Sequence, residues 1–168
     1  TAFVAFREEV VTRRTKYLLN RARERAHILV GLAIAVANID DVIYLIRNAP
    51  DPATARAELM ARDWPARDME PLINLIDDPR HNLAHDGTYR LSDDQPRAIL
   101  ELRLQRLTAL GRDEIGDELK ENGAKIADYL DILRSRARVL EIVKQELLEV
   151  REEFADERRT EIVEAEFE

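Results

Sequence analysis

From Ala2 to Ala49 the apolar positions recur at steps of three and four residues, with no proline and a single glycine, Gly31, to interrupt them. That spacing predicts one uninterrupted helix of roughly 45 residues, or about 70 Å. Val4, Val11, Leu18 and Leu32 recur on one heptad position, with Arg25 interrupting. Thr15, Ala22, Leu29 and Val36 recur four residues after that set, which makes an a/d seam. Near the other end, Leu140, Val143, Leu147, Val150 and Phe154 step by three and four in turn and form a second, cleaner seam. Two long helices with matching seams predict an all-α fold built on a long antiparallel coiled-coil stalk.

Charge assigns the partners. The first arm carries Arg7, Arg13, Arg14, Lys16, Arg21, Arg23 and Arg25 against Glu8, Glu9 and Glu24, a balance of +4. Residues 139–157 carry Glu141, Glu146, Glu149, Glu152, Glu153, Asp156 and Glu157 against Lys144 and Arg151, a balance of −5. Each arm repels a copy of itself and attracts the other. A surface pair contributes only about 0.2 to 1 kcal/mol, so charge selects the partner while the buried Leu, Val and Phe stabilise the pairing.

Between the arms the sequence predicts a small helical globule. The run from Ala26 to Ile39 is apolar on all sides, which suits entry into a core, and at about 14 residues it falls short of a membrane span. Pro50 and Pro52 stop the first helix near Asn48. Asp51 caps a short helix with Pro52 at its first position. Asp63 to Pro65 breaks the chain, Asp68 to Ile76 forms a further short helix, and Pro79 to Tyr89 is irregular. Ser92 to Gln95 reads as a capping box opening a helix of about 16 residues that ends at Gly111. Ile99, Leu100, Leu102, Leu104, Leu107 and Leu110 load more than one face of that helix, which therefore needs a complete shell or a partner chain. Another helix spans Arg112 to Leu133, and Ser135 caps the acidic arm. The expected divisions are residues 1–38 as first arm, 39–134 as globule, 135–160 as returning arm and 161–168 as tail. Both ends then lie together at the far end of the stalk, as in a piece of something larger.

Composition removes most chemistry. There is no cysteine, so disulfides and thiolate catalysis are excluded, and a reducing cytoplasm is the expected setting. A net charge of −8 opposes general nucleic-acid binding by the chain as a whole, although the basic cluster from Arg7 to Arg25 keeps a local contact open. No glycine-rich phosphate loop or serine–histidine set is present. His81, His85 and Asp86 have the spacing of metal ligands on a helix, but Pro79, Asn82 and Gly87 make that stretch a loop. His27, inside the apolar run, reads as a core histidine bonded to backbone. No catalytic, cofactor or metal residue is assigned.

The segments Phe6 to Thr15 (FREEVVTRRT), Arg23 to Leu29 (RERAHIL), Gln95 to Leu110 (QPRAILELRLQRLTAL) and Arg158 to Ile162 (RRTEI) resemble, in the same order, the A-subunit family of DNA gyrase. The related topoisomerase IV protein is the nearest neighbour of that family, and the VVTRRT and QRLT forms are more like gyrase. The resemblance implies a non-catalytic exit-gate module, a helical dimerisation domain at the tip of the stalk that opens to release the transported duplex. It places the homodimer contact at Ile99, Leu100, Leu102, Arg103, Leu104 and Leu107. It further implies the gyrase B subunit and duplex DNA as partners of the parent enzyme, with ATP and magnesium bound through the B subunit, and no membrane. It also marks Arg103 as a stacking point for a gyrase-poisoning toxin protein. The family's catalytic tyrosine lies upstream, and none of Tyr17, Tyr44, Tyr89 or Tyr129 has a matching context. A freestanding helical coiled-coil adaptor is the alternative reading.

Overall fold

The computed structural model describes residues 1–76, 83–103 and 109–164. Helix α1 runs Ala2–Ala37, with the Thr1 side chain accepting from the Val4 amide at its start. Its inner face is Val11, Thr15, Leu19, Ala22 and Ala26, all buried and spaced by three or four residues. From His27 to Val36 nearly every side is covered, because the helix enters the core there. The expected 45-residue helix is in fact two. At Asn38 the chain bends by 91° into α2 (Ile39–Asn48). The Asn38 amide nitrogen donates to the Ile34 carbonyl at 2.9 Å and to the Pro65 carbonyl at 3.2 Å. A side chain that competes for the carbonyl four residues back bends a helix, and the second bond fixes the bend against the rest of the fold. Among the described residues no single helix is long and apolar enough to cross a membrane.

Helix α3 (Pro52–Ala61) starts as its sequence predicts, with the Asp51 carboxylate accepting from the Thr54 amide at 2.9 Å. Two three-residue strands follow where the sequence reads as breaks: β1 (Asp63–Pro65) pairs antiparallel with β2 (Thr88–Arg90), Trp64 opposite Tyr89. These two aromatics are the largest fully buried side chains, and the Trp64 indole donates to the Leu59 carbonyl at 2.9 Å. A three-residue strand is too short to show a period, so burial of its central aromatic is what makes it. A 3₁₀ turn (Arg67–Met69) leads into α4 (Glu70–Ile76).

Helix α5 (Asp94–Leu100) has seven residues, where about 16 were expected. On a continuing helix, residues 99, 100 and 102 would spread over an arc of about 160°. Leaving the helix at Glu101 lets Ile99, Leu100 and Leu102 all pack on one core. Helix α6 (Ala109–Arg134) runs through Gly111, the residue expected to end its predecessor. A glycine inside a helix costs about 1 kcal/mol, which the buried row Ile115, Leu119 and Ile126 offsets. Ser135 caps α7 (Arg136–Phe154) by accepting from the Arg138 amide.

The long antiparallel coiled-coil stalk is not what these helices build. Helix α1 lies antiparallel along α6, from the Arg25–Glu118 pair at 2.6 Å to the contact of Val11 with Ile132, and also packs on α5. Its seam with α7 is short, centred on Val11, Val139 and Val143 and flanked by ion pairs. Arg7 (2.7 Å) and Arg14 both reach Glu146, and Arg136 reaches Glu8 at 2.9 Å. Partial burial raises the Glu146 carboxyl, but hydrogen bonds and charge from Arg14 and Arg7 outweigh it and leave it below its ordinary 4.5. Arg138 ties α7 back to Asp128 and Asp131 of α6. The result is a packed helical bundle with a small β-ribbon on its side. Of the seam residues read from heptads, Val11, Thr15, Ala22, Leu29, Leu32 and Val143 are buried and Val4 is half-buried. Leu18, Leu140, Leu147, Val150 and Phe154 are 37 to 69% exposed.

The one-residue offset between the heptad seam and the observed inner face is measurable. Leu19→Ala should lower unfolding free energy by about 2 to 5 kcal/mol in urea, whereas Leu18→Ala should cost about 0.5 kcal/mol or less. Equal costs at the two positions would contradict the packing of α1 described above.

Candidate functional site

The polar chemistry of the interior is concentrated at one joint. Gln95, in the first turn of α5, has no exposed surface. Its amide nitrogen donates to the His27 carbonyl at 2.8 Å and to the Tyr89 hydroxyl at 3.0 Å. Its amide oxygen accepts from the Ser92 N–H at 2.9 Å and from the Tyr89 hydroxyl at 3.3 Å. Every donor and acceptor site of the amide is therefore used, as a buried amide requires. The His27 ring, 2% exposed, closes the circuit by bonding through Nε2 to the Ser92 hydroxyl. Half of the expected capping box is thus formed, from the Gln95 side chain to the Ser92 amide, while the Ser92 hydroxyl turns to His27 instead of the first-turn amides. The His27 side chain bonds a hydroxyl, and it is the His27 carbonyl that bonds Gln95.

Space for this joint comes from Gly31. A Cβ at that position would lie 2.7 Å from both Cβ and Cγ of Gln95. The glycine is needed for close approach, since its backbone stays helical. The joint connects α1 to β2 and α5, with Gln95 lying 68 residues after His27, and the segment after α5 hangs from it.

That segment carries the residues expected at a contact surface. Ile99 is 5% exposed and turned into the core, so it offers nothing to a partner. Leu100 and Leu102 are half-buried against the same core, and Arg103 is exposed. Leu104 and Leu107 lie outside the described residues, as does His81. His85 is exposed. The Asp86 carboxylate is occupied by the Thr88 hydroxyl and amide, whose hydrogen bonds hold it below the ordinary carboxylate range. Among the described residues no group of three or more His, Asp or Glu side chains is placed to hold a metal ion.

Six of the seven cations of the basic arm divide into two sets, and Arg23 is half-buried. Arg7, Arg14 and Arg25 are spent on Glu146 and Glu118. Arg13, Lys16 and Arg21 stay exposed on the opposite face, with Tyr17 and Asn20 among them. The joint is the feature that sequence reasoning missed, whereas the basic cluster was noted there without this division. Gly31, alone in an apolar helix, is the signal that could have found the joint, and the absence of any acid between Glu9 and Glu24 marks the exposed set.

The family profile of the DNA gyrase/topoisomerase IV A subunit matches residues 1–148. The DNA gyrase A subunit of Granulibacter bethesdensis is 53% identical over 162 residues, covering 96% of this chain and 17% of that protein. The DNA gyrase A subunit of Rickettsia prowazekii is 52% identical over 166 residues, 99% of this chain and 18% of that protein. That of Pseudomonas aeruginosa is 45% identical over 170 residues, 96% and 18% respectively. The chain thus spans less than a fifth of the length of these relatives. The expectation of an exit-gate module on a coiled-coil stalk does not survive. It requires two arms standing apart from a distal globule, and α1 is instead packed along α6 and α5 within the bundle. The profile also crosses the expected arm and globule as one stretch. The freestanding coiled-coil adaptor needs the same stalk and is set aside with it.

Gln95→Leu keeps the volume but leaves the Ser92 amide without its Gln95 acceptor and removes a bond from the His27 carbonyl and from the Tyr89 hydroxyl. At about 1 to 3 kcal/mol for a stranded amide and about 0.5 to 1.5 for each further lost bond, urea unfolding should show a loss of about 2 to 5 kcal/mol. A loss under about 1 kcal/mol would mean that the joint is not holding these elements.

Proposed function

We propose, for a chain that belongs to the DNA gyrase/topoisomerase IV A-subunit family, that it is a helical structural part of a gyrase A subunit, supplying shape and contact surface while the chemistry is done elsewhere in the enzyme. The parent enzyme is then an ATP-dependent type IIA topoisomerase that acts on duplex DNA together with the gyrase B subunit, which brings ATP and magnesium. The observation that carries this reading is identity above 50% across nearly the whole chain with a stretch covering less than a fifth of gyrase A subunits.

The residues suit a structural part. A catalytic tyrosine must present its hydroxyl to a phosphodiester beside groups that stabilise the leaving oxygen. Tyr89 is buried with its hydroxyl bonded to Gln95, and Tyr129 is packed against the core. Tyr17 and Tyr44 are exposed on helix faces, 62 and 71% respectively. Among the described residues, the surface left for self-association is Arg103 with the outer edges of Leu100 and Leu102. An isologous contact of a second copy there would close a dimer. The same exposed guanidinium is open to an aromatic side chain of a gyrase-directed toxin.

The test uses the complete gyrase A protein containing this chain, reconstituted with its B partner, ATP, magnesium and relaxed plasmid. Tyr44→Phe and Tyr129→Phe should each leave supercoiling within about fivefold, since loss of a true nucleophile costs on the order of 10⁶. Light scattering of the 168-residue chain should show a self-association that Arg103→Glu weakens. A tyrosine variant without activity would place chemistry in this chain and overturn the reading; an unaltered mass in Arg103→Glu would remove the proposed surface alone.

A further inference from the structure

Helix α1 presents to solvent a face rich in cations. Taking 100° per residue, Arg13, Lys16, Tyr17, Asn20 and Arg21 follow one another at helical spacing and centre about 170° from the buried row Val11, Thr15, Leu19, Ala22 and Ala26. All five are exposed. The stretch from Val10 to Arg23 contains five cations and no acid, in a chain whose net charge is −8. Among the described residues the acidic arm does not consume this face, because Glu146, its glutamate in contact with α1, takes Arg7 and Arg14 from the flank. Arg13 has a single long i,i+4 pair with Glu9 at 3.8 Å, both side chains about two-thirds exposed. Such a pair is worth a few tenths of a kcal/mol and yields readily to a phosphate.

We infer that this face is a contact strip for the phosphate backbone of duplex DNA. The inference rests on the reading of the parent as an enzyme acting on DNA and adds to it a place where this chain touches the substrate. The five residues are all types that bind phosphate: two guanidinium forks, an ammonium, a phenol and an amide. Arg13 to Arg21 covers about 12 Å of helix. DNA carries a phosphate every 3.4 Å or so along each strand, so the three cations span a few successive phosphates. Nothing on the strip reads a base edge from a groove, so the contact is independent of sequence and sensitive to salt. The acids Glu9 and Glu24 close the strip at its two ends and limit its length.

The test is fluorescence anisotropy of the 168-residue chain with a duplex of about 20 base pairs, titrated with salt from about 50 mM upward. Three phosphate contacts predict a log–log slope near −2.7, about −0.9 for each. Lys16→Gln with Arg21→Gln should lower affinity at least about tenfold at the lowest salt and bring the slope to about −1. The control is Arg47→Gln with Arg158→Gln, which removes the same charge elsewhere on the surface and should leave slope and affinity unchanged. Circular dichroism and urea midpoints keep unfolding from mimicking the effect. No binding at low salt, or equal loss in the control, would overturn the inference. So would binding of polyglutamate as tightly as DNA, which would assign the strip to an acidic protein segment. Any of these results with normal behaviour of the tyrosine variants would leave the gyrase A reading standing.

Discussion

The contacts that tie α1, β2 and α5 together pass through the Gln95 amide where it sits on Gly31. A buried primary amide has four hydrogen-bonding positions, and leaving even one open costs about 1 to 3 kcal/mol. Here the four positions are met by the backbone of α1, the phenol beside β1 and the turn that opens α5. Each partner therefore fixes the other two. Gly31 makes this possible by letting α5 approach α1 more closely than any side chain would allow. Within a low-dielectric interior such a network is worth most when complete, which gives the joint its all-or-nothing character.

From this joint the rest follows in layers. Trp64 and Tyr89 fill the space beside it, which pins a ribbon that three-residue strands could not hold by themselves. Helix α6 then covers the apolar side of α1 from Glu118 to Ile132, and α7 closes on Val11 only after the break at Ser135. With its inner side so occupied, α1 turns its basic residues outward, and the segment carrying Leu102 and Arg103 leaves α5 at a defined place. The fold achieves placement: the bundle holds the exposed basic face of α1 and the Leu102–Arg103 segment in fixed relation.

Much of the helical layout was legible because its signals are local. The Asp51 cap, the Ser135 cap and the absence of proline from α1 and α6 each show in a few consecutive residues. The attraction of the two arms was also readable, and Arg7 and Arg14 do meet Glu146. The stalk was misread through a small error in period. Heptads assume 3.5 residues per turn, and a straight helix at 3.6 drifts about 20° per heptad. That drift moves the inner row of α1 from Leu18 to Leu19, and with it the helix turns from a two-stranded seam towards α6. The bend at Asn38 depends on the Pro65 carbonyl, 27 residues away, and Gln95 looked like a local cap because its long-range partners are a carbonyl and a phenol. Neither kind of contact leaves a mark in sequence spacing. The segment expected as a contact surface was named from family likeness, and burial divides it, with Ile99 facing in and Arg103 facing out.

The central claim is that the joint opens only when the whole bundle opens. Amide hydrogen exchange at Ser92, whose N–H is held by Gln95, measures this directly. The account predicts an opening free energy at Ser92 equal to that of the slowest amides in α1 and α6 and to global unfolding in urea. Fast exchange at Ser92 while α1 and α6 remain protected would show that the bundle stands without the joint, and would contradict the account.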